Sequence, residues 1–136
     1  MGSHPKKAFG KGATEEEVVA AERALGLSLG GTYRDFLRQF GWGGVAHLEI
    51  YGLGRDVPRH LDLVRVTQSE RTEMRPRLPG HLLPVMNDGG GNLYCIDTKV
   101  EGLPLVFWDH TLREDQDPEQ CATGFAEWLD EQLDQL

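Results

Sequence analysis

Apolar residues recur along this chain in short blocks bounded by glycine, proline or capping side chains, and the spacing inside each block predicts its element. Thr14-Glu-Glu-Glu17 has the form of a capping box, with the Thr14 hydroxyl placed to accept from the amide of Glu17. Val18, Ala21 and Leu25 then recur at helical spacing, and Gly26 stops the helix. A second short helix follows, with Thr32 as its cap, Tyr33, Phe36, Leu37 and Phe40 on one stripe, and Gly41 at its end. Two short amphipathic helices in succession make a helical hairpin whose apolar stripes must rest on another layer, and that layer should be a sheet.

Strand signals come next. His47-Leu-Glu-Ile-Tyr51 alternates polar with apolar between Gly44 and Gly52. Residues 61–75 read as a middle helix, with Leu61, Val64 and Gln68 along one line and Pro76 closing it. Leu82–Met86 and Leu93–Ile96 flank the turn-rich run Asn87-Asp-Gly-Gly-Gly-Asn92, which predicts a β-hairpin, and Leu105–Trp108 adds a third strand to an antiparallel meander. A last helix is expected after an Asp117 cap and Pro118, with Cys121, Phe125, Trp128, Leu129, Leu133 and Leu136 on its apolar stripe. Glu127, Asp130, Glu131 and Asp134 fall on its other face. The expected fold is α+β: an antiparallel sheet packed by an N-terminal helical hairpin, a middle helix and a C-terminal helix. Residues 1–12 read as a flexible basic arm whose start, Met1-Gly-Ser-His4, has the look of an expression scar, and residues 13–136 as a single domain.

Composition narrows the class. A chain of 136 residues has room for one core and not two, and at that size no disulfide or structural metal is needed to hold it. Cys95 in a strand and Cys121 on the last helix are expected as buried free thiols. No apolar run approaches a membrane span and no secretory signal opens the chain, so the expected location is the cytoplasm. The net charge of −8 is unevenly spread: residues 109–136 hold nine acidic side chains and one basic, and residues 1–108 hold 13 of each. A concentrated negative field repels nucleic acid and draws a basic partner.

The residue types that carry chemistry do not assemble into a reaction centre. Gly89-Gly-Gly91 lies between two strands with Asp88 before it and no lysine until Lys99, which suits a turn better than a phosphate loop. The five histidines lack helical zinc spacing, and neither cysteine belongs to a Cys-x-x-Cys pair, so no metal or other cofactor is expected. Asp109-His110 could be part of a triad, but no nucleophile elbow accompanies it, and neighbouring strand residues point to opposite faces. Asp97 and Asp109 could pair across strands, with nothing to indicate a perturbed carboxyl. No aromatic–basic interleaving suggests nucleic-acid binding. A binding protein, not an enzyme, is the expectation.

Leu25-Gly-Leu-Ser-Leu-Gly-Gly-Thr-Tyr-Arg-Asp-Phe-Leu37 with Gly41-Trp-Gly-Gly44 resembles the opening helices of the SUKH superfamily. Leu83–Asp97 is similar to that family's strand pair, and Val106-Phe-Trp-Asp-His110 to its aromatic–Asp–His strand; the resemblance spans residues 13–134. Gly30 stands where the family has proline, and Gly41-Trp-Gly43 where it has an Asn-Gly turn. The superfamily includes fungal cell-wall-assembly regulators of the Smi/Knr type and many bacterial toxin-immunity proteins. The resemblance implies a noncatalytic domain that binds a cognate toxin, often a nuclease, whose phosphate-binding cleft would be basic. The residues expected at the docking surface are Glu49, Tyr51, Asp88, Trp108, Asp109, Glu114 and Asp115, with Trp42 and Trp108 as candidate aromatic anchors. A tryptophan in a strand more often serves the core than an interface.

Overall fold

The computed structural model describes residues 7–136. Met1–His4, the stretch with the look of a scar, lies outside the described residues. Lys7–Phe9 of the expected arm instead forms strand β1. It pairs antiparallel with β2 (Gly43–Val45), which pairs with β3 (Leu48–Ile50), giving a three-stranded sheet. The meander from β4 (Leu82–Asn87) through β5 (Leu93–Asp97) and β6 (Leu105–Trp108) to β7 (Glu119–Ala122) forms a second, four-stranded antiparallel sheet. Helices α1 (Glu15–Leu25), α2 (Gly31–Gln39), α3 (Leu63–Thr72) and α4 (Phe125–Asp134) pack around these two sheets, so the fold is α+β.

The single sheet expected from the strand pattern is therefore two. They meet where the Tyr51 amide donates to the Val85 carbonyl at 2.8 Å. Gly52, next along, donates to Leu61 and accepts from Leu63, tying β3 to the start of α3. Glycine is required at Gly52 because a Cβ there would lie 1.6 Å from the Gly41 carbonyl oxygen.

The α1 capping box forms as the sequence predicts, and Gly26 closes the helix in the left-handed conformation. Three local expectations change. Thr32 does not cap α2, whose N-cap is Gly30; the Thr32 hydroxyl accepts instead from the Ala126 amide at 3.0 Å, capping α4 from across the molecule. The middle helix buries Leu63 and Thr67, not Val64 and Gln68, because Asp62 caps it through the Val64 and Arg65 amides and leaves Leu61 in the preceding turn. The last helix begins at Phe125, not after Asp117, because Glu119–Ala122 fill the open edge of β6 as a strand. Cys121 is consequently an exposed residue of β7, while Cys95 is buried; both thiols are free.

The core joins both sheets to the helices. Trp128, Tyr33, Leu37, Leu63, Val85, Leu93 and Leu105 are essentially inaccessible. Phe125 lies 4.9 Å from Tyr33 and 5.7 Å from Trp128, so an aromatic chain fixes α4 over α2. The Tyr33 hydroxyl donates to the Tyr51 carbonyl at 2.6 Å, carrying that order to the end of β3.

Candidate functional site

Alternation along β3 buries Leu48 and Ile50 and turns Glu49 to solvent. On that outer face the turn after β4 rises beside the 3₁₀ segment Arg59–Leu61, enclosing a polar depression of about 350 Å³. Glu49, Tyr51 and Asp88 all line it, together with His47, His60 and Asn87. Three of the residues expected at the docking surface thus converge, Glu49 and Tyr51 from one run of chain and Asp88 from the turn after β4. His60, which the sequence did not single out, stands with Nε2 2.9 Å from Glu49 Oε2. Its only sequence signal is its type, since the 3₁₀ turn of Arg59–Leu61 brings it there.

The wall of this depression is held in place by its own hydrogen bonds. Asn87 Oδ1 accepts from the Gly89 amide at 2.8 Å; Asp88 Oδ1 accepts from the Gly90 and Asn92 amides at 2.8 and 3.1 Å. Asn92 Nδ2 donates to the other Asp88 oxygen. Partial burial pushes the Asp88 carboxyl upward, but these donors and nearby His110 outweigh it and hold the group below the usual carboxylate range. Asp88 is therefore both a fixed negative charge and the staple of its turn. Gly91 has φ +105°, and a Cβ there would meet the His110 ring at 3.1 Å. Tyr51 is nearly enclosed; burial, then the charges of Glu70 and Cys95, push its phenol up to about 12, against a hydrogen bond with Asn87. Behind it, burial raises the Glu70 carboxyl, with His110 pulling the other way.

Asp109 and His110 do not form a dyad. The Asp109 carboxylate accepts from the Thr111 hydroxyl and amide at 2.6 and 2.8 Å, which lowers its pKa, whereas His110 Nδ1 faces Asn92 Oδ1 at 2.7 Å. Glu114 and Asp115 lie in the loop after β6. Glu114 accepts from the Arg77 amide at 2.7 Å, and Asp115 pairs with Arg113 at 3.4 Å. Arg75, Arg77 and Arg113 line one shallow depression with these two carboxylates, so the loop's surface is of mixed charge. The arginines at 75 and 77 come from outside the acidic segment, which is why counting charge along the sequence missed them.

The acids of α4 differ. Glu127, Asp130, Glu131 and Asp134 are all exposed, and among the described residues none of them pairs with a basic side chain. Trp108 corrects an expectation: it is 1% exposed, on the inner side of β6 opposite Leu93, and serves the core instead of an interface. Trp42 is half-buried and donates through Nε1 to Asp56 at 3.2 Å.

Among the described residues no group of three or more His, Cys, Asp or Glu side chains could hold a metal ion, and no helix is long and apolar enough to cross a membrane. None of the curated proteins matches the chain. The family model SUKH_5, described as SMI1-KNR4 cell-wall, matches residues 3–134. That match takes in both sheets, all four helices and the polar depression, and the chain belongs to this SMI1-KNR4 family of the SUKH group.

Proposed function

We propose that this chain is a bacterial immunity protein of the cytoplasm that binds a basic toxin domain, of nuclease type, and blocks it without catalysis. The observation that carries this reading is the row of four exposed carboxylates on α4 with no basic partners among the described residues. A nuclease holds phosphates with a basic cleft, and an inhibitor that presents unpaired carboxylates competes with the substrate there. Long-range attraction also speeds encounter, which favours neutralisation before damage. Glu49 and Asp88 supply further fixed acids in the polar depression, with Tyr51 in its wall. Asp109, held ionised by Thr111, supplies another, whereas Glu114 and Asp115 contribute less, because Arg75, Arg77 and Arg113 line the same depression.

Co-expression with the toxin encoded by a neighbouring gene tests the proposal. Growth rescue together with a stable complex is expected; the absence of both would defeat it. The family description, SMI1-KNR4 cell-wall, favours a second reading in which the domain is a regulatory module for an endogenous protein. A complex with a host protein, without rescue from any neighbouring toxin, would select that reading.

A further inference from the structure

The inner face of β3 opens on a different surface. Leu48 and Ile50 there, with Val45 of β2, Phe9 of β1 and Leu129 and Leu133 of α4, bound a groove of about 230 Å³ whose accessible lining is entirely apolar. Among the described residues nothing closes it. Phe9 is 46% exposed and Leu133 40%, although each has large apolar neighbours within reach, including Phe40 at 5.2 Å from Phe9. Gly43 deepens the groove, since a Cβ there would press on the Phe9 ring at 2.9 Å.

The rim carries charge. Asp130 and Asp134 each follow a lining leucine of α4 by one residue, so they stand in a row along one lip, both exposed and without a basic partner among the described residues. Lys7 stands two residues from Phe9 on β1. An apolar slot beside unpaired carboxylates selects its occupant by charge as well as by shape. A second copy of this chain would bring two acidic helices together, and an anionic membrane would be repelled.

We infer that this groove docks a segment of the partner protein that presents one or two large apolar side chains flanked by lysine or arginine, the α4 carboxylates meeting the flanking cations. The inference rests on the proposal that the partner is a basic protein, and it names where that partner's anchor enters. It also supplies what the polar depression lacks, an apolar pocket able to exclude water around a hot-spot residue.

The test uses three labelled synthetic peptides with the intact chain: a Leu-Phe-Leu core flanked by lysines, the same core flanked by glutamates, and a serine core flanked by lysines. Fluorescence anisotropy should show the first binding at least about tenfold more tightly than either control, a difference of about 1.4 kcal/mol. Amide shifts in the nuclear magnetic resonance spectrum should centre on Phe9, Val45, Leu129 and Leu133. Leu133→Gln, and separately Asp130→Lys with Asp134→Lys, should each weaken that binding about fivefold or more while thermal unfolding shows the fold intact. Equal affinity for the serine-core peptide would reduce the effect to bulk charge and overturn the inference. So would no binding at millimolar peptide, shifts confined to the polar depression, contacts from this chain's own residues 1–6 filling the groove, or a dimer by sedimentation that Leu133→Gln dissolves. The peptide result and growth rescue are independent readouts. Rescue that survives Leu133→Gln defeats the groove alone, whereas absence of rescue by the unaltered chain defeats the immunity reading.

Discussion

The loop from Asp109 to Asp117 and the helix from Phe125 to Asp134 hold four carboxylates each and look alike as charge. Folded, they differ. In the loop, Glu114 is bonded to the Arg77 amide, Asp115 faces Arg113, Asp109 caps its own turn, and Arg75 stands close by. On α4 the inner face is locked into the core by Phe125 and Trp128, and the outer face presents acids that no described base offsets. Net charge along a sequence is a sum over residues. The field a partner meets is set by which acids remain uncompensated and by how rigidly they are held.

The largest effect should come from removing what makes α4 rigid. Trp128→Ala is expected to cost about 3–5 kcal/mol in denaturant unfolding, as truncation of a fully buried aromatic does, while Leu112→Ala in the loop should change stability by under about 0.5 kcal/mol. Comparable losses at the two sites would erase the distinction. Next, Thr32→Ala removes the hydroxyl that receives the Ala126 amide and should cost about 1 kcal/mol, the usual worth of an N-cap. Amide exchange should show that loss at the start of α4, leaving the start of α2 unchanged. A smaller effect is expected from Glu114→Gln combined with Asp115→Asn: exposed, arginine-neighboured acids are worth little, so association with the proposed toxin should change by less than about threefold.

The fourth prediction concerns an acid outside both regions. Burial raises Glu70 above the ordinary carboxylate range, so the folded state holds its proton to higher pH than the unfolded chain does. The contribution of Glu70 is thus fully present below its unfolded pKa and is lost as pH rises through the higher folded value. Glu70→Gln should therefore raise the unfolding midpoint at pH 7, and the gain should disappear at pH 4. A variant less stable than the parent at pH 7 would show that the ionised carboxylate is a favourable partner in its place.

Signals confined to a few neighbouring residues were legible in the sequence. The Thr14 capping box, the hairpin around Asn87–Asn92 and the strand Leu105–Trp108 each carry their own turn or period, and each forms where expected. Elements defined by a distant partner were not. Gly43-Gly-Val45 is a poor strand by composition and becomes one by lying between β1 and β3; Glu119–Ala122 becomes a strand because β6 offers an edge. Thr32 satisfies the local rule for a cap, yet its hydroxyl serves a helix whose start is remote in sequence. Of the candidate docking residues, Glu49 and Tyr51 share a face by the alternation written in the sequence, whereas only the meeting of β3 with β4 brings Asp88 beside them. Trp108 carried no sequence mark to tell a buried strand face from an exposed one.

The most direct test of the account is the association rate with the proposed partner, a basic toxin domain, as a function of ionic strength. Measured by stopped flow, it should be compared in the unaltered chain, in the Glu114→Gln, Asp115→Asn variant and in a chain with Glu127, Asp130, Glu131 and Asp134 replaced by lysine. The α4 variant should associate about 10–1,000-fold more slowly at low salt and lose most of the salt dependence, with the loop variant tracking the parent. An α4 variant that associates as fast as the parent, with the same salt dependence, would contradict the account.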